Sequence, residues 1–188
     1  MAFFKNLFHP LVAQPTSHLT DGEIFLLLRQ YQWGSAYVGG LPSYFFSIVD
    51  ATEMRREFGR CDLRVGMHPE LAYAGHIGYR VHTPYRGHHY ALKASRLLLH
   101  FAYELGLREC IITCDPDNAP SRRTLMALGG ELVRTVRVPS DSACYAAGDR
   151  EKCQFFYHTA DYFDPARHDA RVEFVTGDDA TFLRKNEI

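Results

Sequence analysis

The feature of this chain that most constrains its fold is a change of hydrophobic period near residue 82. Before that point, short aromatic and β-branched segments alternate with polar residues, which is typical of strands. From residue 90 to residue 105 the apolar residues recur at helical spacing instead. They are Ala91, Ala94, Leu98, Phe101, Ala102 and Leu105. A strand that leads into an amphipathic helix predicts a sheet with helices packed on it.

Strands dominate the first half of the chain, whereas helices and strands alternate in the second half. The predicted strands are 23–31, 43–49, 61–67, 75–81, 109–114, 131–138 and 153–158. One predicted helix spans 90–105 and stops at Gly106. The second begins after its capping residue Asn118 and ends before Gly129. This order predicts an α+β fold, with a central mixed, mostly antiparallel sheet and helices on both faces.

The length of 188 residues supports a single domain that spans 1–188. We predict an irregular N-terminal segment at 1–20 and a polar C-terminal extension at 161–188. The 21 basic and 22 acidic residues nearly cancel, which excludes a protein that holds nucleic acid by bulk charge. No apolar run approaches the ~20 residues of a membrane-spanning helix, and the N-terminus lacks a signal-peptide pattern. Because the five cysteines are odd in number and form no CxxC pair, we expect reduced thiols in a cytoplasmic protein.

The segment with the clearest chemical content joins a predicted strand to the long helix, and it has the sequence VHTPYRGHHYA at 81–91. Backbone N–H groups at a helix N-terminus have no partner within the helix, and they suit a phosphate or pyrophosphate group. Arg86 adds a fixed positive charge, and Gly87 lets the backbone approach a ligand closely. Taken alone, this pattern is equally compatible with a surface turn and with a phosphate-binding loop.

Two later features complete a pattern that resembles the GNAT family of acetyl-CoA-dependent N-acetyltransferases. The strand at 109–114 runs into the sequence DPDN, and the helix after it closes at Gly129-Gly130. The hexapeptide RGHHYA is similar to the family's R/Q-x-x-G-x-G/A motif. Asn118, Ser121 and the glycine pair resemble its N-x-x-A…G-F segment. The whole stretch is similar to a bacterial subgroup of predicted GNAT acetyltransferases.

The resemblance implies a GNAT-like acyl-CoA N-acyltransferase fold, in which the strands at 75–81 and 109–114 splay apart around pantetheine. It implies that backbone groups near Val81 bond the pantetheine amides, and that Asn118 and Ser121 face the pantetheine or the thioester. A six-residue loop would cradle the pyrophosphate, and it consists of Arg86, Gly87, His88, His89, Tyr90 and Ala91. The implied co-substrate is acetyl-CoA, and the implied reaction is direct attack of an amine on the thioester. The acceptor would be a small molecule or a protein amine.

The chain departs from the family pattern at three positions. His89 stands where the family usually has glycine, so its Cβ either crowds the phosphate or its imidazole donates to it. Leu125 replaces a tyrosine that serves many members as the general acid, and Gly75 replaces a glutamate that serves some members as the base. These losses support an alternative function, in which a degenerate GNAT domain binds acyl-CoA as a sensor or interaction module.

His76 and Asp115 are the candidate catalytic residues. A free imidazole titrates near pH 6.5, so His76 is a candidate base, although a hydrogen-bonded histidine on a sheet face is an alternative. Asp115 could bind or deprotonate the amine, or it could form a turn before Pro116. We expect no metal site at the histidines near the loop, because no carboxylate or cysteine ligand accompanies them at a defined spacing. The expected partners are acetyl-CoA and an amine acceptor, with neither nucleic acid nor a membrane. A homodimer is left open.

Overall fold

Seven strands and four α-helices form within residues 18–35 and 40–167, the parts of the chain that this computed structural model describes. The strands are β1 Ile24–Ser35, β2 Leu41–Asp50, β3 Glu57–Arg64, β4 Ile77–Val81, β5 Glu109–Cys114, β6 Glu131–Arg137 and β7 Glu151–His158. The helices are α1 Leu71–Ala74, α2 Tyr90–Glu104, α3 Ala119–Ala127 and α4 Ala143–Ala146. The predicted α+β fold is therefore confirmed.

The boundaries differ from the predictions where tertiary contacts extend an element. Strand β1 continues beyond the predicted end at residue 31 to Ser35, because its ladder with β2 reaches the pair Ser35↔Leu41. Helices α1 and α4 have only four residues each and lack a hydrophobic period, so no pattern predicted them. Within the predicted C-terminal extension, Pro165–Arg167 form a 3₁₀ turn. Residues 1–17 and 168–188, which hold most of the two predicted end segments, lie outside the described residues.

The strands form two antiparallel sheets that meet at one point. The first sheet has the order β1-β2-β3-β4, and the second has the order β5-β7-β6. Strands β4 and β5 are therefore the neighbouring edges of two different sheets. The backbone N–H of His76, just before β4, donates to the carbonyl of Ile111 in β5 at 2.7 Å. The gap between the two sheets opens beyond this contact.

Helix α2 covers one face of the four-stranded sheet and carries much of the core. Phe101 is fully buried and packs edge-to-face against Tyr44 and Phe46 of β2, with ring centroids 5.2 and 6.1 Å apart. Near the N-terminus of the helix, Tyr90 stacks on Phe58 at 4.1 Å. Each buried aromatic ring contributes about 1.5–3 kcal/mol. These contacts fix the N-terminus of α2 beside the end of β4.

A buried carboxylate anchors the opposite end of α2. Glu104 lies 2.7 Å from His18 Nε2 and 3.3 Å from His100 Nε2. Although burial favours its neutral form, the hydrogen bonds from His100 and His18 lower the pKa of Glu104 to about 2. The three side chains are close enough to share a metal ion. However, the backbone N–H of Asp164 donates to His100 Nδ1 at 3.1 Å. The ring proton of His100 is therefore on Nε2, which faces Glu104 and has no lone pair to offer a metal ion.

Candidate active site

The edge of β4 presents backbone groups to the gap between the sheets. Arg64 donates its backbone N–H to the carbonyl of His76 at 2.8 Å, and His82 donates to the carbonyl of Phe58 at 2.9 Å. In an antiparallel pair, such bonds form at alternate residues of each strand. The intervening residues Tyr79 and Val81 therefore direct their N–H and C=O groups away from β3. No strand among the described residues pairs with them.

Two adjoining cavities lie along this gap. The inner cavity, of about 230 Å³, is bounded by β4, β5 and α3 and contains the side chains of Tyr79, Cys114 and Ser121 in its wall. The outer cavity, of about 650 Å³, extends from the end of β5 toward the turn between β6 and β7. The two share Asp115, Asn118 and Asp149 in their linings. The two cavities therefore adjoin at the end of β5.

A pair of hydroxyl groups crosses the inner cavity. Tyr79 Oη lies 2.8 Å from Ser121 Oγ. Asn118 caps α3 as predicted, because its Oδ1 accepts the backbone N–H of Ser121 at 3.1 Å and so orients that residue. Burial raises the pKa of Tyr79 to about 12, although the bond from Ser121 opposes this change. The pair therefore keeps its protons at neutral pH and can donate a hydrogen bond to an atom in the cavity.

The loop between β4 and α2 has the geometry of an anion-binding site. Gly87 has a φ of 90°, and His89 has a φ of 61° and a ψ of 18°, which is the left-handed region. The histidine thus adopts the conformation that glycine would have at this position, at a cost of roughly 1–2 kcal/mol. Arg86 Nε donates to the carbonyl of Val81 at 3.2 Å, which holds its guanidinium beside the end of β4. The side chains of Arg86, His88 and His89 are exposed, whereas Tyr90 and Ala91 are partly buried.

His76 does not lie in the cavity, and both of its ring nitrogens are engaged. Its Nδ1 accepts the backbone N–H of Ile111 at 3.0 Å, and its Nε2 lies 3.2 Å from the carbonyl of Gly66. Burial lowers the pKa of His76, and the side chain is 1% exposed. An imidazole with no free lone pair cannot accept a proton from an amine. The geometry gives His76 the structural task of joining β4 to β5, and we do not carry its base role forward.

Asp115 lies at the mouth of the inner cavity, in an ion pair that the sequence did not indicate. Lys152 Nζ is 2.6 Å from Asp115 Oδ1 and 2.9 Å from Asp149 Oδ2. Burial opposes the charge of Lys152, but its hydrogen bonds to the two carboxylates raise its pKa. Asp115 is half exposed and can exchange Lys152 for an incoming ammonium group. This position suits binding of the acceptor better than removal of its proton.

Comparison with known proteins identifies the family. Residues 10–131 match the family model described as an acetyltransferase (GNAT) domain. The chain belongs to the GNAT acetyltransferase family. No curated protein sequence matches the chain. No helix among the described residues is long and apolar enough to cross a membrane.

Solved structures of other GNAT proteins are similar to the chain at low identity. A ribosomal-protein-S5-alanine acetyltransferase from Vibrio fischeri is 19% identical, with a TM-score of 0.48 over 65% of this chain and 64% of that one. A GNAT acetyltransferase from Bacillus anthracis is 19% identical, with a TM-score of 0.49 over 62% of this chain and 66% of that one. The chain thus matches less than two thirds of the length of either structure.

Local packing in this GNAT domain accounts for two of the three departures from the family motif. Gly75 has a φ of 70°, and a Cβ on it would lie 3.0 Å from the backbone nitrogen of Thr113. A glutamate at this position would therefore separate β4 from β5 at the point where they meet. Leu125 is fully buried, and its carbonyl accepts the hydroxyl of Tyr157 at 2.9 Å. In this GNAT domain, Tyr79 and Ser121 are among the residues that place hydroxyl groups in the wall of the inner cavity.

Tyr79 and Lys152 are site residues that the sequence interpretation missed. Strand alternation predicts that Tyr79 shares a face with Ile77 and Val81. That its backbone faces the gap follows only from the position of β4 at the edge of its sheet. No sequence signal joins Lys152 to Asp115, because 37 residues separate them and the contact depends on the pairing of β5 with β7.

Proposed function

We propose that this GNAT domain is an acetyl-CoA-dependent N-acetyltransferase, which acetylates a primary amine of a small molecule or a protein by direct attack on the thioester. The observation that carries this proposal is the outward-facing edge of β4, which ends at the exposed N-terminus of α2. An extended edge suits the amide groups of pantetheine, and a helix N-terminus suits a pyrophosphate. Both lie in the order that one coenzyme A molecule requires.

The coenzyme would lie with its pantetheine amides against Val81 and its pyrophosphate against the loop. The amides of residues 87–91 and the guanidinium of Arg86 supply hydrogen-bond donors and positive charge for the two phosphates. The left-handed backbone of His89 supports this assignment, because it preserves the loop conformation at the position where glycine is usual. Asn118 would act indirectly by capping α3 and orienting Ser121.

The thioester would lie in the inner cavity beside Tyr79. Its carbonyl oxygen would accept the outward N–H of Tyr79, which stabilises the oxyanion that develops as the amine attacks. The new N–C bond forms as the C–S bond breaks, and the departing thiolate of coenzyme A takes a proton from the Tyr79–Ser121 hydroxyl pair. Asp115 and Asp149 would bind the ammonium form of the acceptor at the mouth.

The decisive test is release of free thiol from acetyl-CoA in the presence of a panel of primary amines, including small amines and peptides with a free N-terminus. We expect amine-dependent thiol release together with an acetylated product that mass spectrometry detects. The second candidate, a domain that binds acyl-CoA as a sensor, is favoured by the absence of the usual acidic groups at Gly75 and Leu125. Saturable binding of acetyl-CoA without turnover on any amine would support that second candidate.

A further inference from the structure

The site described so far lacks a group that removes the proton from the acceptor, and a carboxylate on β3 is in a position to do so. Asp62 pairs directly with Gly78 of β4. Its side chain extends over that glycine, since a Cβ added to Gly78 would lie 2.5 Å from Asp62 Oδ1. The carboxylate therefore occupies the space that any larger residue at position 78 would need.

Arg64 holds the carboxylate of Asp62 in place behind the wall of the inner cavity. Its Oδ2 lies 2.8 Å from Arg64 Nη2, and its side chain is 20% exposed. Arg64 Nη1 donates to the carbonyl oxygens of Gly75 and Ala74 at 3.0 and 3.3 Å, which fixes the guanidinium. Arg64 and Gly78 both line the inner cavity. Hence the carboxylate is fixed by an ion pair and partly desolvated, and it lies against two residues of the cavity wall, Arg64 and Gly78.

The residues around Asp62 favour a carboxylate that can accept a proton. Its direct partners across the neighbouring strands are Phe45 on β2 and Gly78 on β4, and neither carries a charge. Arg64 is the charged group that faces it. Burial raises the pKa of Asp62 above its usual value, although Arg64 opposes this change. A carboxylate with a raised pKa accepts a proton more readily than an exposed aspartate does.

The two faces of β4 differ in a way that determines how an amine can approach. Tyr79 points toward α2 and α3, where its hydroxyl meets Ser121. Side chains alternate along a strand, so Gly78 faces the opposite side, and it has no side chain to block access. A nucleophile reaches a carbonyl carbon from above or below its plane. The hydroxyl pair lies on one side of β4, so an approach from the other side passes Gly78, over which the carboxylate of Asp62 lies.

We propose that Asp62 is the general base of the acetyl transfer, acting on the acceptor ammonium from the Gly78 side of β4. This inference rests on the proposed function. Asp62 takes one proton from the ammonium, and the freed lone pair forms the N–C bond. The C–S bond breaks, and the thiolate takes its proton from the Tyr79–Ser121 pair. The nitrogen of the new N–C bond then loses its second proton to water, an equivalent proton returns from water to the hydroxyl pair, and Asp62 releases the first proton to solvent.

The test compares Asp62→Asn with the wild-type full chain on two kinds of acceptor. For an alkylammonium acceptor we expect kcat to fall about 10²–10⁴-fold, with loss of the acid limb of the kcat/KM pH profile. For hydroxylamine, which is unprotonated at pH 7 and needs no base, we expect a rate close to that of the wild type. The dissociation constant of acetyl-CoA should stay unchanged. Asp141→Asn, at an exposed carboxylate outside the site, is the matched control.

Arg64→Gln provides a second variant in which the base is retained. Because Arg64 lowers the pKa of Asp62, its removal should raise that pKa and move the acid limb of the profile to higher pH. This variant tests the proposal even if Asp62→Asn fails to fold. If Asp62 has only a structural role, the acid limb of the kcat/KM pH profile should stay at the same pH in Arg64→Gln.

Three results separate the two proposals. An unchanged rate and pH profile of Asp62→Asn on alkylammonium acceptors would overturn the role of Asp62. Equal losses on alkylammonium and hydroxylamine acceptors would also overturn it, because a base is needed only for the first. If the wild type acetylates neither kind of acceptor, the proposed function itself fails.

Discussion

Strand β4 has two ends with opposite properties. At its start, the backbone and the side chain of His76 both bond to Ile111, and the two sheets are joined. Three to five residues later, Tyr79 and Val81 direct their backbone groups into an open gap. The same strand therefore has a closed end, where it is joined to β5, and an open end, whose backbone hydrogen-bonding groups have no strand partner among the described residues. The contrast shows that the open edge at Tyr79 and Val81 is held in position by the hydrogen bonds between His76 and Ile111, a few residues away.

The largest effect on stability should come from removing the hydrogen bonds of His76 that join β4 to β5. His76→Ala leaves the N–H of Ile111 and the carbonyl of Gly66 without their side-chain partner and creates a cavity, so we expect a loss of about 3–5 kcal/mol in the free energy of unfolding. Urea denaturation measures this loss. His158→Ala, which removes an exposed ring, is the control. An equal loss of unfolding free energy in both variants would contradict the role of His76 in joining β4 to β5.

The lowered pKa of His76 also predicts a pH dependence. The folded state resists protonation of His76, whereas the unfolded chain binds that proton below about pH 6.5. The free energy of unfolding should therefore decrease as the pH falls below about 6.5. Replacing His76 should flatten that part of the stability curve, and a curve that is the same in the variant and the wild type would assign the effect to other groups.

At the open end, removing the hydroxyl pair should reduce catalysis without loosening the fold. In the double variant Tyr79→Phe/Ser121→Ala, the thiolate loses its proton donor, so we expect kcat to fall about 10²-fold. The dissociation constant of acetyl-CoA, measured by calorimetry, should stay within about twofold of the wild-type value because the backbone edge remains. Thr124→Ala, on the same helix, is the control. A drop in affinity with an unchanged kcat would place the pair in binding rather than in proton transfer.

Arg86→Ala should weaken the phosphate end of the open edge. The variant loses a cation that is held beside Val81, and we expect the dissociation constant of coenzyme A to rise about tenfold, with an unchanged unfolding transition. Arg55→Ala removes an exposed arginine far along the chain and serves as the control. Equal affinities of the two variants would remove Arg86 from the site.

The smallest effect distinguishes the two interpretations of His89. His89→Gly relieves a left-handed non-glycine residue and should stabilise the fold by about 1 kcal/mol, as thermal unfolding would reveal. If the loop backbone alone binds the pyrophosphate, the affinity for coenzyme A stays the same or improves. A clear loss of affinity would instead mean that the imidazole donates to the phosphate.

Much of the fold followed from local patterns, whereas the chemistry of the site did not. The long α2 and the strands β4 and β5 follow directly from hydrophobic period, and the cap at Asn118 from its position before a helix. The candidate base His76 had the right residue type, but burial and two backbone partners give it another task. No sequence pattern singles out Asp62, because a strand aspartate that faces a cavity and one that faces solvent occupy the same alternating positions.

By itself the sequence determined the α+β class, the family-like loop at 81–91 and the order of strand, loop and helix, because these depend on residues that are close along the chain. Tertiary structure alone decided which strand edges face each other and which side chains enter the gap. Asp115 meets Lys152 and Asp62 lies over Gly78 through strand pairing, whose register depends on the packing of the whole sheet. Proton transfer depends on such contacts, since each requires groups brought together from distant positions.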